Sequence, residues 1–526
     1  MANKVVLAYS GGLDTSVAIK WLAQEYGLRV VALTIDVGNE RDFSAIREKA
    51  LNAGAVKALV IDAKELFVNY FIFPALQADA VYEGQYPLAT ALSRPLMAKL
   101  LVDVARKERA KAVSHGCTGK GNDQVRFEVG VNALAPDLKI IAPAREWGMN
   151  REQTISYAQR HGIPVPVTVA SPYSIDENLW GRSIECGVLE DPWTEPPADV
   201  FSWTKHPAEA PDEPGYVEIG FDKGIPVSID GQEMDGTSLI RQLNDLASSH
   251  GVGRIDHIEN RLVGIKSREI YEAPAATVLL TAHQSLEAMT LSKDQARFKQ
   301  KVAMEYADLI YNGLWFTSLH QDLAAYVKSS QRFVSGVVRL KLFKGSSSVV
   351  GRKSPFSLYD YGLATYDKGD QFDQSASPGF IHIWGLPVRT QAQVQGISSL
   401  RGGEVMNYRS FEEVWQDIKK LEGKDVFTLC KHHKNHIEKV DEKGVLRYAD
   451  DGSGAFTLVD KARFKRVWTN LVEHREFVPK GKGGWLTCAC IAHLPEVEYS
   501  CKDRPLSLYL RQQNTHPFGE VKEYTE

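Results

Sequence analysis

Apolar residues in the first 165 positions come in short blocks separated by amphipathic stretches. Val5-Val6-Leu7-Ala8-Tyr9 is followed by Ser10-Gly11-Gly12-Leu13-Asp14-Thr15-Ser16, after which Val17 and Trp21, and Ala18 and Leu22, recur four apart. That order predicts a buried strand, a tight glycine turn and a helix with one apolar face. The same alternation predicts strands over 30–36, 56–62, 111–114 and 139–143, and helices over 43–52, 88–107 and 123–134. Gly54 stops the first of these helices. Short apolar strands alternating with helices specify an α/β fold, a Rossmann-like parallel sheet covered on both faces. Ligands of such sheets sit beyond the carboxyl ends of the strands. The glycine turn, Asp36-Val37-Gly38 and Ser114-His115-Gly116 therefore share one rim.

The pattern changes after Gly162-Ile163-Pro164-Val165-Pro166. Residues 171–215, rich in Pro, Trp, Asp and Glu, read as loops and short helices. A hairpin over 216–221 and 226–229, a helix over 238–249, one long helical stretch over 282–312 and strands over 336–343 and 347–352 predict an α+β domain. Near residue 400 the chain starts afresh, with a helix over 411–421, strands over 426–430 and 437–440, and a turn at 450–454. A helix over 461–474 follows, with Phe464, Val467, Trp468 and Leu471 on one face. At one domain per ~150 residues, the expected organisation is 1–165, 166–397 and a small α+β module over 398–526.

Composition narrows the class. Hydrophobic content of 44% and charged content of 24% are those of a globular protein. A net charge of −4 argues against bulk binding to nucleic acid or anionic membranes, and lysine and arginine nearly balance the acids after residue 400. No apolar run approaches the ~18–20 residues that span a bilayer, and no signal-peptide segment precedes the first strand. Six cysteines in a chain of this length are no disulfide scaffold, so the cytoplasm is the expected compartment. Cys430, His432, His433, His436, Cys488, Cys490 and His493 contain metal-ligand types, but their spacing matches no standard zinc pair. They read as structural, and no metal site is assigned.

The chemistry lies in three clusters. The turn Ser10–Ser16 aims backbone N–H groups outward at a helix start, which suits phosphate. It is no Walker A loop, because no Gly-Lys-Ser/Thr closes it. Hydroxyls in place of that lysine suit a grip on pyrophosphate while chemistry occurs at the α-phosphate. The second cluster, 114–128, has three glycines in six positions, then Asn122 and Asp123 placed to cap the next helix. Thr118 and Asn122 offer hydrogen bonds, Asp123 an ammonium partner and Arg126 a bidentate carboxylate grip. His115 takes no catalytic role. In the third cluster, Glu259-Asn260-Arg261 and Lys266 to Glu272 flank a strand-like Leu262-Val263-Gly264-Ile265. Glu259 could take a ureido NH₂ pair, and Tyr271 could close the pocket.

Together these clusters resemble the argininosuccinate synthase family over about residues 3–395. Shorter matches are Tyr82-Glu83-Gly84, Ser93-Arg94-Pro95, His161 to Pro166 and Gly187 to Trp193. The resemblance implies an N-type ATP pyrophosphatase domain and a catalytic/multimerisation domain that ligate citrulline and aspartate with ATP and Mg²⁺, through a citrullyl-adenylate. Carried over by motif, Ala8, Tyr9, Ser10, Gly11, Gly12, Leu13, Asp14, Thr15, Ser16, Ile35 and Gly116 would hold ATP. Tyr86, Asn122, Arg126, Ser174, Ser183, Glu259 and Tyr271 would hold citrulline, and Thr118, Asn122 and Asp123 aspartate. A homotetramer is implied as well.

Two positions depart from that pattern. Ala91 stands where many members have a serine, with Thr90 and Ser93 as the nearest replacement hydroxyls, and Ile35 replaces a commoner alanine. Other readings fit less well. A tRNA-thiolating ligase would need paired cysteines near the loop domain, where only Cys117 and Cys186 occur. A glutamine-dependent ligase would need a glutaminase nucleophile, often an N-terminal cysteine, where this chain reads Met1-Ala2-Asn3. A nucleotide sensor with a nucleic-acid-binding output module meets the module's near-neutral charge.

Overall fold

Val5, Val6 and Leu7 are wholly buried in the central strand β1 (Lys4–Ala8). Val5 and Leu7 pack with Ala18, Ile19 and Leu22 of the helix α1 (Leu13–Tyr26), whereas Val6 joins the cluster on the opposite face. This is the alternation a strand imposes. In this computed structural model, residues 3–39, 41–164, 172–395, 408–449, 455–479, 484–502 and 506–524 are described. β1 is flanked by β2 (Arg29–Asp36) and β4 (Ala112–Ser114), with β3 (Lys57–Asp62) and β5 (Lys139–Ile141) outermost. All four pairings are parallel. The helices α2 (Phe43–Asn52), α3 (Ala89–Lys107) and α4 (Asp123–Leu134) lie close to the bounds set by sequence. Strand order 3-2-1-4-5 reverses direction between β1 and β4, so the loops leaving those strands diverge and open a crevice.

The next segment departs from expectation. Within the stretch read as loops, β6 (Ser174–Asn178) and β7 (Gly181–Glu185) form a hairpin. It joins β11 (Arg254–Asn260) and β12 (Lys266–Glu272) in a sheet ordered β11-β12-β7-β6. The Leu262–Ile265 run is the turn between β11 and β12, not a strand. A second antiparallel sheet contains β8 (Gly215–Asp222), β9 (Ile225–Ile229), β10 (Gln232–Glu233), β13 (Gly336–Phe343) and β14 (Ser346–Lys353). The helix α5 (Gly236–Ser249) precedes β11. The long helical stretch is two helices, α6 (Pro274–Thr290) and α7 (Lys293–Tyr311). Leu291 is extended between them, and Ser292 with Gln295 forms a capping box that restarts the helix.

The chain divides into two compact units, 1–372 and 373–526. The second begins with helices Ser377–Trp384 and Leu386–Gln395, whose apolar side chains are exposed. Residues 408–524 have their own core, built by Phe411, Val414, Trp415 and Ile418 from one helix and Phe464, Val467, Trp468 and Leu471 from another. Two four-stranded sheets complete it. Cys430 and Cys501 form a disulfide with Cα atoms 5.7 Å apart, while Cys488 and Cys490 are buried in the helix Trp485–Ala492. His436 pairs with Asp425 at 2.9 Å and His493 with the Ala489 carbonyl at 2.6 Å, and among the described residues no three of the Cys/His set come within ligating reach of one another. The expected junctions at 165–166 and 397–398 and the 450–454 turn lie outside the described residues.

Candidate active site

The crevice at the switch point opens into a cavity of about 590 Å³. One wall of it is the turn after β1. Gly11 takes φ +79°, a left-handed conformation that favours glycine. The side chains brace one another: the Ser10 and Thr15 hydroxyls lie 3.1 Å apart, and the buried Ser16 hydroxyl donates to the Gly12 carbonyl at 2.8 Å. Lys49 of α2 donates to the Gly11 carbonyl at 2.7 Å. Burial lowers that lysine's pKa. The loop after β4 presses against the turn, and a Cβ at Gly116 would lie 2.7 Å from Thr15 Cγ2. Only glycine permits that approach. Ala8, Tyr9, Ser10, Gly12, Thr15, Ile35 and Gly116 line the cavity, whereas Gly11, Leu13, Asp14 and Ser16 are not among its lining residues.

Opposite lies a polar chamber. Asn122 does not cap α4, contrary to expectation: it donates to the Tyr311 hydroxyl at 2.8 Å and accepts from the Leu262 N–H at 3.0 Å. Asp123 accepts from Arg94 at 2.7 Å and Arg126 at 2.9 Å. Burial raises the Asp123 pKa, but the two guanidinium groups outweigh it and hold the carboxyl below its usual range. Arg126 is only 4% exposed, donates through Nε to the Tyr311 carbonyl at 2.8 Å and stacks over the Tyr311 ring. Its Nη2 is buried without a partner among the described residues. Glu259 accepts from the Tyr271 and Tyr311 hydroxyls, each at 2.6 Å. Burial pushes both phenols above their ordinary range, so they stay donors. Tyr86 stacks on Tyr271 at 4.2 Å, and its hydroxyl accepts from the Thr90 N–H at 2.9 Å.

Every sequence-derived residue for the two amino acids lines this cavity: Tyr86, Thr118, Asn122, Asp123, Arg126, Ser174, Ser183, Glu259 and Tyr271. Ala91 does not, whereas Thr90 does, with its hydroxyl 3.3 Å from that of Ser183. Sequence reasoning missed Arg94, whose Nη2 bridges Asp123 and Asp176, and Tyr311, which ties Asn122, Arg126 and Glu259 together. The Ser93-Arg94-Pro95 match was a usable signal for the first. The second carried none, because Tyr311 enters from the end of a distant helix. His115 contacts Glu128 at 3.1 Å and stacks on Phe127, in keeping with a structural part.

Fold and cavity together define a parallel-sheet α/β domain joined to an α+β domain that shares its crevice. Residues 4–164 match the Arginosuccinate synthase N-terminal HUP domain, and residues 173–391 match the Arginosuccinate synthase C-terminal domain. A Dehalococcoides mccartyi protein named argininosuccinate synthase is 66% identical over 397 residues, covering 76% of this chain and 98% of the relative. One from Symbiobacterium thermophilum is 60% identical over 394 residues, 75% of this chain and 98% of the relative. One from Oceanobacillus iheyensis is 58% identical over 394 residues, 75% and 94%. The chain belongs to the argininosuccinate synthase family.

Proposed function

We propose that the cavity joins citrulline to aspartate at the expense of ATP, yielding argininosuccinate, AMP and pyrophosphate. The citrulline ureido oxygen attacks the α-phosphate of ATP, and pyrophosphate leaves toward the Ser10–Ser16 turn. The aspartate amine then attacks the ureido carbon and displaces AMP. The observation that carries this reading is the buried Nη2 of Arg126, a donor without a partner among the described residues, in the cavity that the Glu259 carboxylate also lines. Cation and anion so placed suit the carboxylate and ammonium of one amino acid. Asn122 serves both amino acids, while Thr118 and Asp123 serve aspartate. No nucleophilic side chain is required. Alignment of bound reactants supplies roughly 7–11 kcal/mol of such barriers, and backbone donors stabilise the departing charge.

Mg²⁺ would come in on the phosphates. The Ser10 and Thr15 hydroxyls are hard oxygen donors that fit such an ion, which neutralises charge on pyrophosphate. The domain arrangement we favour is a nucleotide domain to about 165, a catalytic and assembly domain to about 397, and an added module. A homotetramer is supported by the exposed apolar arm, with Trp384 75% and Val388 69% accessible; mass by light scattering tests it. No helix among the described residues is long and apolar enough to cross a membrane. We place the protein in the cytoplasm, and thiol labelling of quenched cells would report the pairing of Cys430 and Cys501 there. In the decisive assay, pyrophosphate is released from ATP only with citrulline, and argininosuccinate forms once aspartate is added. Failure of both steps in folded protein overturns the reading.

A further inference from the structure

Tyr82, Glu83 and Gly84 line no part of the cavity, and no role has yet been given to them. Their turn is nonetheless built under strain. The chain folds back between Tyr82 and Tyr86, whose backbone groups pair in both directions at 2.8 and 3.0 Å. At the tip, Glu83 takes φ +49° and Gly84 φ +71°. That left-handed conformation suits glycine but is unfavourable for glutamate. A turn kept only for its shape would have glycine or asparagine at 83. The glutamate side chain reaches β11 instead. It contacts His257 Nε2 at 3.1 Å, accepts from the Asn260 N–H at 3.3 Å and accepts again from the Asn260 side-chain amide. Lys266 donates to Asn260 Oδ1 at 2.6 Å, which leaves the amide NH₂ for Glu83. Burial alone would raise the Glu83 carboxyl, but Asn260 and His257 outweigh it and hold the group below its usual range. His257 and Asn260 stand two residues before and one residue after Glu259, so the strand is gripped on both sides of that carboxylate.

The two ends of the turn bear on the same centre. The Tyr82 ring stacks on Tyr311 at 3.6 Å, only 5° from parallel, and Tyr86 stacks on Tyr271 at 4.2 Å. Tyr311 and Tyr271 are the two phenols that donate to Glu259. The Tyr82 hydroxyl also donates to the Asn260 carbonyl at 2.8 Å. One turn thus backs both donors and holds the strand that carries their acceptor. We propose that Glu83 is a positioning residue for citrulline: by tying the 82–86 turn to β11, it fixes Glu259 between its two tyrosines in the geometry that receives the substrate. Glu83 acts through these groups and touches neither substrate nor reacting atoms. This rests on the ligase reading above. Strained backbone persists where the surroundings over-determine it, and here the surroundings are the support of Glu259.

The test measures citrulline-dependent pyrophosphate release and thermal melting of the full chain in wild type, Glu83→Gly, Glu83→Gln, Asn260→Ala and the Glu83→Gly/Asn260→Ala double variant. Inactive wild type defeats the ligase reading, and the proposal with it; an active wild type matched by its variants defeats the proposal alone. Glu83→Gly relieves the backbone as it removes the carboxylate, so its melting temperature stays within about 3 °C of wild type. Its kcat/KM for citrulline falls about tenfold, a part of the ~100-fold that a misplacement of about 1 Å brings. The KM for ATP stays within about twofold, which a general loosening of the fold would not allow. Glu83→Gln keeps one acceptor oxygen and recovers part of the loss. Asn260→Ala has the same effect as Glu83→Gly, and the double variant is no worse than either single change, because the two side chains form one clamp. The proposal is overturned if Glu83→Gly leaves kcat/KM for citrulline unchanged, if KM for ATP rises in proportion while melting falls, or if the two single losses multiply. Should Asn260→Ala fail to fold, Glu83→Gly and Glu83→Gln carry the same comparison.

Discussion

At Gly116 a single missing methyl decides whether two loops can meet. Gly116→Ala would place its Cβ 2.7 Å from Thr15 Cγ2, and Thr15 is braced against Ser10. Overpacking of this kind costs about 1–3 kcal/mol. We expect KM for ATP to rise ~10-fold, with KM for citrulline little changed; steady-state kinetics on both substrates checks this. The alanine at 91 has a different outcome. Its side chain is buried in the core and is not among those lining the cavity, and the neighbouring Thr90 supplies a hydroxyl against Ser183. Thr90→Val should therefore raise KM for citrulline several-fold, while Ala91→Ser should not lower it. Individual residues were legible where a motif fixed both identity and spacing, as at Ser10–Ser16 and 114–126. Tyr311 was not, because its partners arrive from segments far apart in sequence, and Arg94 stood in a legible motif whose carboxylate partners were not.

Among the elements, the parallel sheet was legible because its strands are apolar runs buried on both faces. The β6–β7 hairpin was not. Ser174-Ile175-Asp176 and Ser183-Ile184-Glu185 alternate polar and apolar over only three positions each, too short a run to mark a strand. The α6–α7 pair was read as one helix because both halves are amphipathic and no glycine or proline parts them. Within this pair sits a buried ionic knot: Lys299 donates to Asp79 and, at 2.7 Å, to Glu287, while His283 contacts Asp79 at 2.7 Å and Gln331 at 2.8 Å. Lys299→Met would strand two buried carboxyls, and we expect a loss of roughly 3–5 kcal/mol in denaturant melts. Burial, with the Asp79 carboxylate beside it, pushes Glu287 up to about 7, against the pull of His283 and Lys299. A raised pKa means that the folded protein holds a proton the unfolded chain has released. That contribution is full below about pH 4 and is lost as pH rises through about 7. Thermal melts across that range should show a steeper decline for wild type than for Glu287→Gln.

For the whole molecule, the cavity is complete within residues 1–372, and residues 408–524 fold on a core of their own. Chain shortened after residue 407 should accordingly keep citrulline-dependent pyrophosphate release within about twofold of the full chain. Reduction of Cys430–Cys501 should act only on the added module. A cross-link spanning 71 residues is worth about 2–4 kcal/mol, so dithiothreitol should lower that unit's melting temperature and leave ligation untouched. Composition announced the module near residue 400, but no motif in it announced a task.

The break at Leu291–Ser292 sets where α7 begins, and Tyr311 is its last residue. A helix turns 100° and advances 1.5 Å with each residue. Nineteen residues therefore act as a ruler that delivers one hydroxyl to Asn122 and Glu259. Substitutions along the exposed side of that ruler leave its length alone. Loss or gain of one codon between Ser292 and Tyr311 would swing the phenol out of reach while leaving every catalytic residue encoded. Heritable variation in α7 is then confined to changes of letter, never of length.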